Sequence, residues 1–367
     1  MRIGVIGIRG IPSRYGGFET CAEETTTRWT QKGHKVIVYT RNKNILKQYK
    51  AVQLKYVPFI NTRSLGTFTH TILSALNIIK NRVDVVHVYN LANIFAIFIL
   101  KLFKIPTVLL VDGIEWKRTK WNWIGKSYYK LCEIFLKYIN TYVIFDSMRV
   151  LNFYKEFVKE KLDYISYGSS IYPSSFPFKF ERFNSNDYIL FVGRLVPEKN
   201  IHTLIKAFIK SKINKHLVIV GDDPYEIDYK KKLIGLAKNN KRIHFLGYVY
   251  GEDVISLYQN AYLFVQPSTL EGTSPSLLTA MGTNNCVIVK NIPENRETIG
   301  KAGLFFNTEK DLTEIFNNIS VSSIEEYSKK ALNHVIRNYS WDNVSKKYMS
   351  IFELCIKDKK KDFSGSH

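Results

Sequence analysis

Cysteine is scarce and scattered in this chain. Cys21, Cys132, Cys286 and Cys355 form no C-x-x-C pair and none clusters with histidine, which argues against a disulfide framework and a zinc site and points to a reducing cytosol. Long apolar runs are missing as well. The longest, residues 91–111, is interrupted by Asn93, Lys101, Lys104 and Pro106, so it reads as a packed helix followed by a strand rather than a membrane span. Residues 1–7 pass straight into a strand without a small-residue cleavage site, and no signal peptide is expected. Gly4, Gly7 and Gly10 do not make a G-x-G-x-x-G after the first strand, and no acidic residue ends the second, which excludes a nicotinamide-dependent oxidoreductase. The histidines lack ligand spacing and no Asp-x-Asp lies between strands, so no metal is expected.

Carboxylates are outnumbered, 32 against 53 Lys and Arg, for a net charge of +21. Residues 1–175 hold 26 basic and 11 acidic residues, +15 of that total, so the first half is expected to face something acidic. Nucleic acid, an anionic membrane face and a phosphorylated substrate are the candidates, beside a plain lysine-rich compositional bias. No nucleic-acid-binding module accompanies the charge, which is spread over helices, and nucleic acid is set aside as a partner.

What the chain does contain is regular. At 367 residues it suits two domains. Short apolar runs bounded by turn signals alternate with amphipathic stretches, the pattern of βαβ units and parallel sheets. Strands are expected over 2–6, 35–39, 53–57, 83–88, 107–111, 141–145 and 164–166, then over 188–192, 216–220, 243–245, 263–266, 286–290 and 304–306. The Ser- and Pro-rich stretch 168–177 reads as the linker. The expected division is 1–170, 171–340, and a helix over 341–356 that crosses back to the first domain before a frayed polar tail over 357–367.

The most informative stretch is Gly193-Arg194-Leu195-Val196-Pro197-Glu198-Lys199-Asn200, directly after the apolar run 188–192. Glycine lets backbone approach a ligand, and Arg194 and Lys199 can grip a diphosphate from two sides; a solvated turn carrying ordinary surface charges is the alternative. A second loop, Glu271 to Gly282, follows the apolar run 261–267. There Thr273 or Ser274 suits an N-cap and Pro275 the first helical turn, so free N–H groups and the positive dipole end point outward. Both loops lie at the carboxyl ends of strands, the edge where open α/β sheets bind ligands.

In the first half, Gly16 and Gly17 allow a loop to bend over a ligand, with Arg9 and Arg14 adding positive charge. Asp112 follows a strand end and either orients an acceptor hydroxyl or caps the next helix. The run Trp116-Lys117-Arg118-Thr119-Lys120-Trp121-Asn122-Trp123 suits stacking on sugars, a lipid headgroup surface, or a packed polar loop.

With these motifs the chain resembles the retaining GT-B glycosyltransferases of family four. Gly193, Arg194 and Lys199 match the family's G-R-x-x-x-x-K motif, whose Arg and Lys hold the donor diphosphate. Glu271 matches the first carboxylate of its E-x7-E motif, but Thr279 stands where the second holds the nucleotide ribose. The strings Gly7 to Thr20 and Val111 to Trp121 resemble a bacterial rhamnosyltransferase-like branch, although many relatives have His where this chain has Asp112. The resemblance implies an α/β fold of two doubly wound Rossmann-like domains facing each other across a cleft. It implies catalytic roles for Arg194, Lys199, Glu271 and Asp112, donor contacts from Gly16, Gly17, Gly193, Thr273, Ser274, Ser276, Leu277 and Thr279, and acceptor contacts from Arg14, Glu115, Trp116, Lys117 and Arg118.

The implied activity is transfer of L-rhamnose from dTDP-L-rhamnose, with retention and without a metal or other cofactor, to a saccharide or lipid-linked saccharide in cell-surface polysaccharide synthesis. The expected place is cytoplasmic, at an anionic membrane surface on the inner face of the plasma membrane. Thr279 leaves a second reading open, a catalytically weak GT-B protein that binds a nucleotide sugar or a partner enzyme.

Overall fold

A computed structural model describes the chain apart from residues 14–15, 44–45, 63–64, 118–120, 157, 159–160, 173–174 and 365–367; of residues 65 and 360–364 it describes the backbone alone. Two units emerge, one of residues 1–167 with 341–367, the other of residues 168–340.

Unit 1 is built on the strands β1 (Arg2–Ile6), β2 (Lys35–Thr40), β3 (Gln48–Tyr49), β4 (Val52–Tyr56), β5 (Val85–Tyr89), β6 (Thr107–Val111), β7 (Tyr142–Phe145) and β8 (Leu162–Tyr164). Its helices are α1 (Gly17–Gln31), α2 (Leu65–Asn81), α3 (Ile94–Leu102), α4 (Trp123–Leu136) and α5 (Met148–Lys155). The sheet runs β3-β4-β2-β1-β5-β6-β7-β8, parallel except for the β3–β4 pair. Every residue of β5 and β6 is buried, as expected where helices cover both faces of a parallel sheet and the strands become continuous apolar runs.

Unit 2 carries β9 (Tyr188–Val192), β10 (His216–Val220), β11 (Ile243–Gly247), β12 (Leu263–Gln266), β13 (Val287–Lys290) and β14 (Leu304–Phe306), with α6 (Ile201–Lys210), α7 (Ile227–Ala237), α8 (Gly251–Gln259), α9 (Pro275–Gly282), α10 (Pro293–Ile299), α11 (Glu309–Asn318) and α12 (Val321–Asn338). Its sheet is parallel, in the order β11-β10-β9-β12-β13-β14. Helix α6 shows how the sequence builds it: Ile201, Leu204, Ile205 and Phe208 recur on one face and are fully buried, each contributing about 2 kcal/mol on leaving water.

The chain returns to unit 1 as α13 (Trp341–Ser364). The expected frayed tail is therefore a continuation of this helix as far as Ser364. Lysine is a good helix former, so a polar lysine-rich segment extends a helix already anchored by its apolar turns. Two further corrections concern strands. β8 lies two residues ahead of its expected place, and the short antiparallel β3 was not foreseen, because two residues are too few to show alternation.

Helix α13 closes over His87, in the centre of β5. The imidazole is fully buried, with ring centroids of Tyr89 at 4.3 Å, Tyr348 at 4.9 Å, Phe352 at 5.6 Å and Trp29 at 6.1 Å. Neither ring nitrogen has a hydrogen-bond partner among the described residues, and burial pushes its pKa down to about 3. The unfolded chain takes up a proton near pH 6.5 that the folded chain refuses. Stability is therefore complete above pH 6.5 and falls as pH drops towards 3, by up to about 1.4 kcal/mol per pH unit. Chemical denaturation at several pH values should show this slope, and His87→Phe should reduce it, leaving the part due to His70, whose pKa burial also pushes down, to about 4. Two other histidines, distant in sequence, meet on neighbouring strands, His216 Nδ1 lying 2.8 Å from His244 Nε2; no group of three potential metal ligands occurs among the described residues.

Candidate active site

Strands β9 and β12 are neighbours, and the chain leaves β9 towards β10 on the other side. The crevice outside their carboxyl ends is a topological switch point, where parallel sheets hold ligands. Both expected anion loops open there. The first begins at Gly193, whose amide donates to the Val220 carbonyl at 3.0 Å, and turns through a 3-10 segment at Pro197–Lys199. Sequence reading passed over Gly221. Its φ is +120°, and a Cβ there would stand 2.0 Å from the Gly193 carbonyl oxygen, so only glycine lets the two strand ends come this close.

Arg194 is half-buried in this loop, and no described protein group holds its guanidinium. Lys199 is differently placed. Its ammonium forms an ion pair with Glu271 of the second loop, the two side chains being 16% and 9% exposed. The loops are clipped together elsewhere too. Asn200, in the left-handed region at φ +52°, donates from Nδ2 to the Pro267 carbonyl at 3.1 Å and accepts from Thr203 Oγ1 at 2.8 Å, while the Thr269 amide donates to the Glu198 carbonyl at 2.9 Å. Asn200 and Thr269 were not singled out in the sequence; the signal for Asn200 was its tolerance of left-handed backbone at a helix start.

Of the two N-cap candidates, Ser274 takes the position. Its Oγ accepts from the Leu277 amide at 3.5 Å, long for a hydrogen bond, and donates to Gln266 Oε1 at 2.8 Å. Pro275 fills the first turn. The Ser276 and Leu277 amides thus form the positive end of α9 beside the Lys199–Glu271 pair's loop. Thr273 is buried just ahead of the cap. Thr279, one turn further on and half-buried, donates its hydroxyl proton to the Pro275 carbonyl at 2.9 Å, so it presents lone pairs and no proton to a ligand.

In unit 1, Gly16 and Gly17 prove to be the start of α1 rather than a free loop. Gly16 sits at φ +109°, and a Cβ there would meet Glu19 Oε2 at 2.4 Å, because Glu19 turns back to accept from the Arg9 amide at 3.1 Å. Asp112 is half-buried immediately past β6. Glu115 is 3% exposed and accepts from Trp121 Nε1 at 2.9 Å. Trp116 donates from Nε1 to Glu133 at 2.9 Å, and the ammoniums of Lys117 and Lys130 lie 5.3 Å and 5.0 Å from its ring centre. Burial pushes the Glu133 carboxyl up, against the pull of its hydrogen bonds from Tyr154 and Trp116. Polar atoms of Glu115 and Trp116 thus serve internal packing, Lys117 is exposed, and Arg14 and Arg118 lie outside the described residues.

Comparison with known proteins bears on both units. A family model described as glycosyl transferases group 1 matches residues 174–337. Most of unit 2 is therefore similar to the group 1 glycosyl transferases. The model matching residues 1–170 is described as a domain of unknown function (DUF1972). The O-antigen chain mannosyltransferase B of Escherichia coli is 27% identical over 174 residues, 46% of this chain and 46% of its own length, so the chain spans about half the length of the curated relatives it matches. Among solved structures, sucrose-phosphate synthase of Thermosynechococcus elongatus superposes with a TM-score of 0.81 at 16% identity over 97% of this chain and 99% of its own. Anabaena HepE, crystallised with UDP and glucose, does so at 0.76 and 15% over 96% and 99%. The fold is that of the GT-B glycosyltransferases, and the residues matched by the group 1 model carry the Arg194 and Glu271 loops.

Proposed function

We propose that the chain is a retaining, metal-independent glycosyltransferase that moves L-rhamnose from dTDP-L-rhamnose to a saccharide or lipid-linked saccharide acceptor in cell-surface polysaccharide synthesis. Its place is cytoplasmic, against the anionic inner face of the plasma membrane. The observation that carries the transfer reading is the set Arg194, Lys199 and the amino end of α9 on two loops at one switch point. A solved neighbour with UDP and glucose bound and a relative named for O-antigen chain mannosyl transfer support a nucleotide sugar and a saccharide product.

Departure of a nucleoside diphosphate builds negative charge on the leaving oxygens, and rate is gained by holding that charge more firmly than the ground state. Arg194, Lys199 and the Ser276 amide at the start of α9 do so in place of a divalent cation. Glu271 then contacts the sugar once the diphosphate has drawn Lys199 from it. In a retaining transfer the acceptor hydroxyl attacks the face the leaving group departs from; the new glycosidic bond forms as the sugar–phosphate bond breaks, and the hydroxyl proton passes to the departing phosphate oxygen. Asp112 orients the acceptor.

The choice of nucleotide rests on Thr279. A carboxylate grips both ribose hydroxyls with two charged oxygens, whereas a threonine whose proton is committed to Pro275 offers one uncharged oxygen, and deoxyribose has one hydroxyl fewer to hold. Thermal-shift titration with dTDP-, UDP- and GDP-sugars should give the largest shift with dTDP; strong preference for uridine or guanosine donors would remove the rhamnose assignment. Thr279 also favours a second reading, a weak transferase that chiefly binds. Stabilisation by a donor without any product from any acceptor would select it.

A further inference from the structure

Unit 1 contains a cavity of about 340 Å³ between the end of α3, the amino ends of β6 and β7, and the last turns of α13, at the edge of the sheet opposite Asp112. Among the described residues, Lys101, Lys104, Lys161 and Lys359 line it with one carboxylate, Asp358, and the Lys101 ammonium donates to the Asn140 carbonyl. Asp358 is already engaged, accepting from Tyr142 OH at 2.9 Å and lying 3.5 Å from the Lys161 ammonium. A concave site with this imbalance raises the local concentration of anions.

Two of these lysines occupy backbone positions that favour glycine. Helix α3 ends in a Schellman motif, with the Ile105 amide donating to the Leu100 carbonyl at 3.0 Å and the Lys104 amide to the Lys101 carbonyl at 2.8 Å. Its left-handed residue is Lys104, at φ +56°, where glycine is usual. Lys161 is also left-handed, at φ +59°. Glycine would hold either position with less backbone strain, and both lysines line the same cavity. Leu102 and Phe103, between the lining residues Lys101 and Lys104, and Tyr138, two residues before the lining Asn140, are apolar or aromatic side chains exposed at 81%, 57% and 78%. A soluble anion has no use for these side chains. A lipid does, since its phosphate needs cations and its adjoining acyl region accepts apolar and aromatic side chains.

We propose that this cavity binds the phosphate headgroup of an anionic lipid, with Leu102, Phe103 and Tyr138 entering the apolar layer beside it. The proposal deepens the membrane-facing part of the reading above and does not depend on the transfer reaction. Flotation of the full chain with phosphatidylcholine vesicles containing about a third phosphatidylglycerol, and with phosphatidylcholine alone, tests it. The wild type should bind the anionic vesicles only. Lys104→Gly with Lys161→Gly should weaken that binding about tenfold or more at low salt, with the melting temperature held or raised because both residues leave left-handed strain. Lys32→Ala with Lys35→Ala, which removes the same charge from exposed positions of unit 1, should weaken it far less. Leu102→Ser with Phe103→Ser should also lower vesicle binding without loss of stability. Equal losses in the two lysine pairs, no binding by the wild type, or stabilisation by inorganic phosphate with vesicle binding unaffected by the Leu102 and Phe103 changes would each overturn it. Donor-induced thermal shifts, which read unit 2, should be unchanged in every variant, so failure of the lipid site and failure of the transferase reading give different results.

Discussion

Arg194→Ala should lower kcat/KM for sugar transfer by about a hundredfold or more, a loss of the size seen when a preorganised contact to developing negative charge is removed, while the unfolding free energy changes by less than about 0.5 kcal/mol. The two halves of that expectation come from one observation. The guanidinium is half-buried at the switch point and no described protein group holds it, so removing it withdraws nothing from the folded state's own interactions. Steady-state kinetics with a nucleotide-sugar donor, beside a denaturation curve, measure both. Near-wild-type turnover in this variant would detach the β9 loop from the reaction.

Lys199→Ala should behave differently, losing transfer to a similar degree and stability as well, by about 3 kcal/mol. Lys199 and Glu271 are 16% and 9% exposed, and removing one partner leaves the other charge confined and unpaired. Adding Glu271→Gln to Lys199→Ala should restore most of the stability and none of the activity. If Lys199→Ala were as stable as the wild type, the ion pair would not be a feature of the unliganded protein, and the picture of a diphosphate prising Lys199 from Glu271 would fall with it. The pair also bears on donor binding, because part of the diphosphate's attraction for Lys199 is offset by separating it from Glu271.

Much of the sheet was legible because parallel strands covered on both faces are unbroken apolar runs, as in Thr107–Val111 and Tyr188–Val192. The turn chemistry at Ser274 and Pro275 was equally plain, being local to four residues. What escaped were features set by encounters between distant segments. Gly221 is demanded by the Gly193 carbonyl, Asn200 by the Pro267 carbonyl, and the burial of Glu115 by the Trp121 indole. The string Trp116 to Trp123 suited a sugar-stacking surface, a lipid headgroup surface or a packed polar loop; in the fold Trp116 and Trp121 are tied to carboxylates, and Trp123, at the start of α4, is the one left 76% exposed. Positive φ at Lys104 and Lys161 carried no signal, since neither residue is a turn former.

The chain enters unit 2 at Gly168 and leaves it at Ser340, and the two crossings lie side by side, the Ser169 amide donating to the Tyr339 carbonyl at 2.7 Å. Unit 2 is thus an insertion within unit 1, whose core around Trp29 and His87 stays open until Tyr348 and Phe352 arrive. On the ribosome, the portion that starts first is finished last. Until α13 has been synthesised, a nascent chain exposes an aromatic hollow that a chaperone would recognise, and a stop codon before Trp341 leaves that hollow permanently bare.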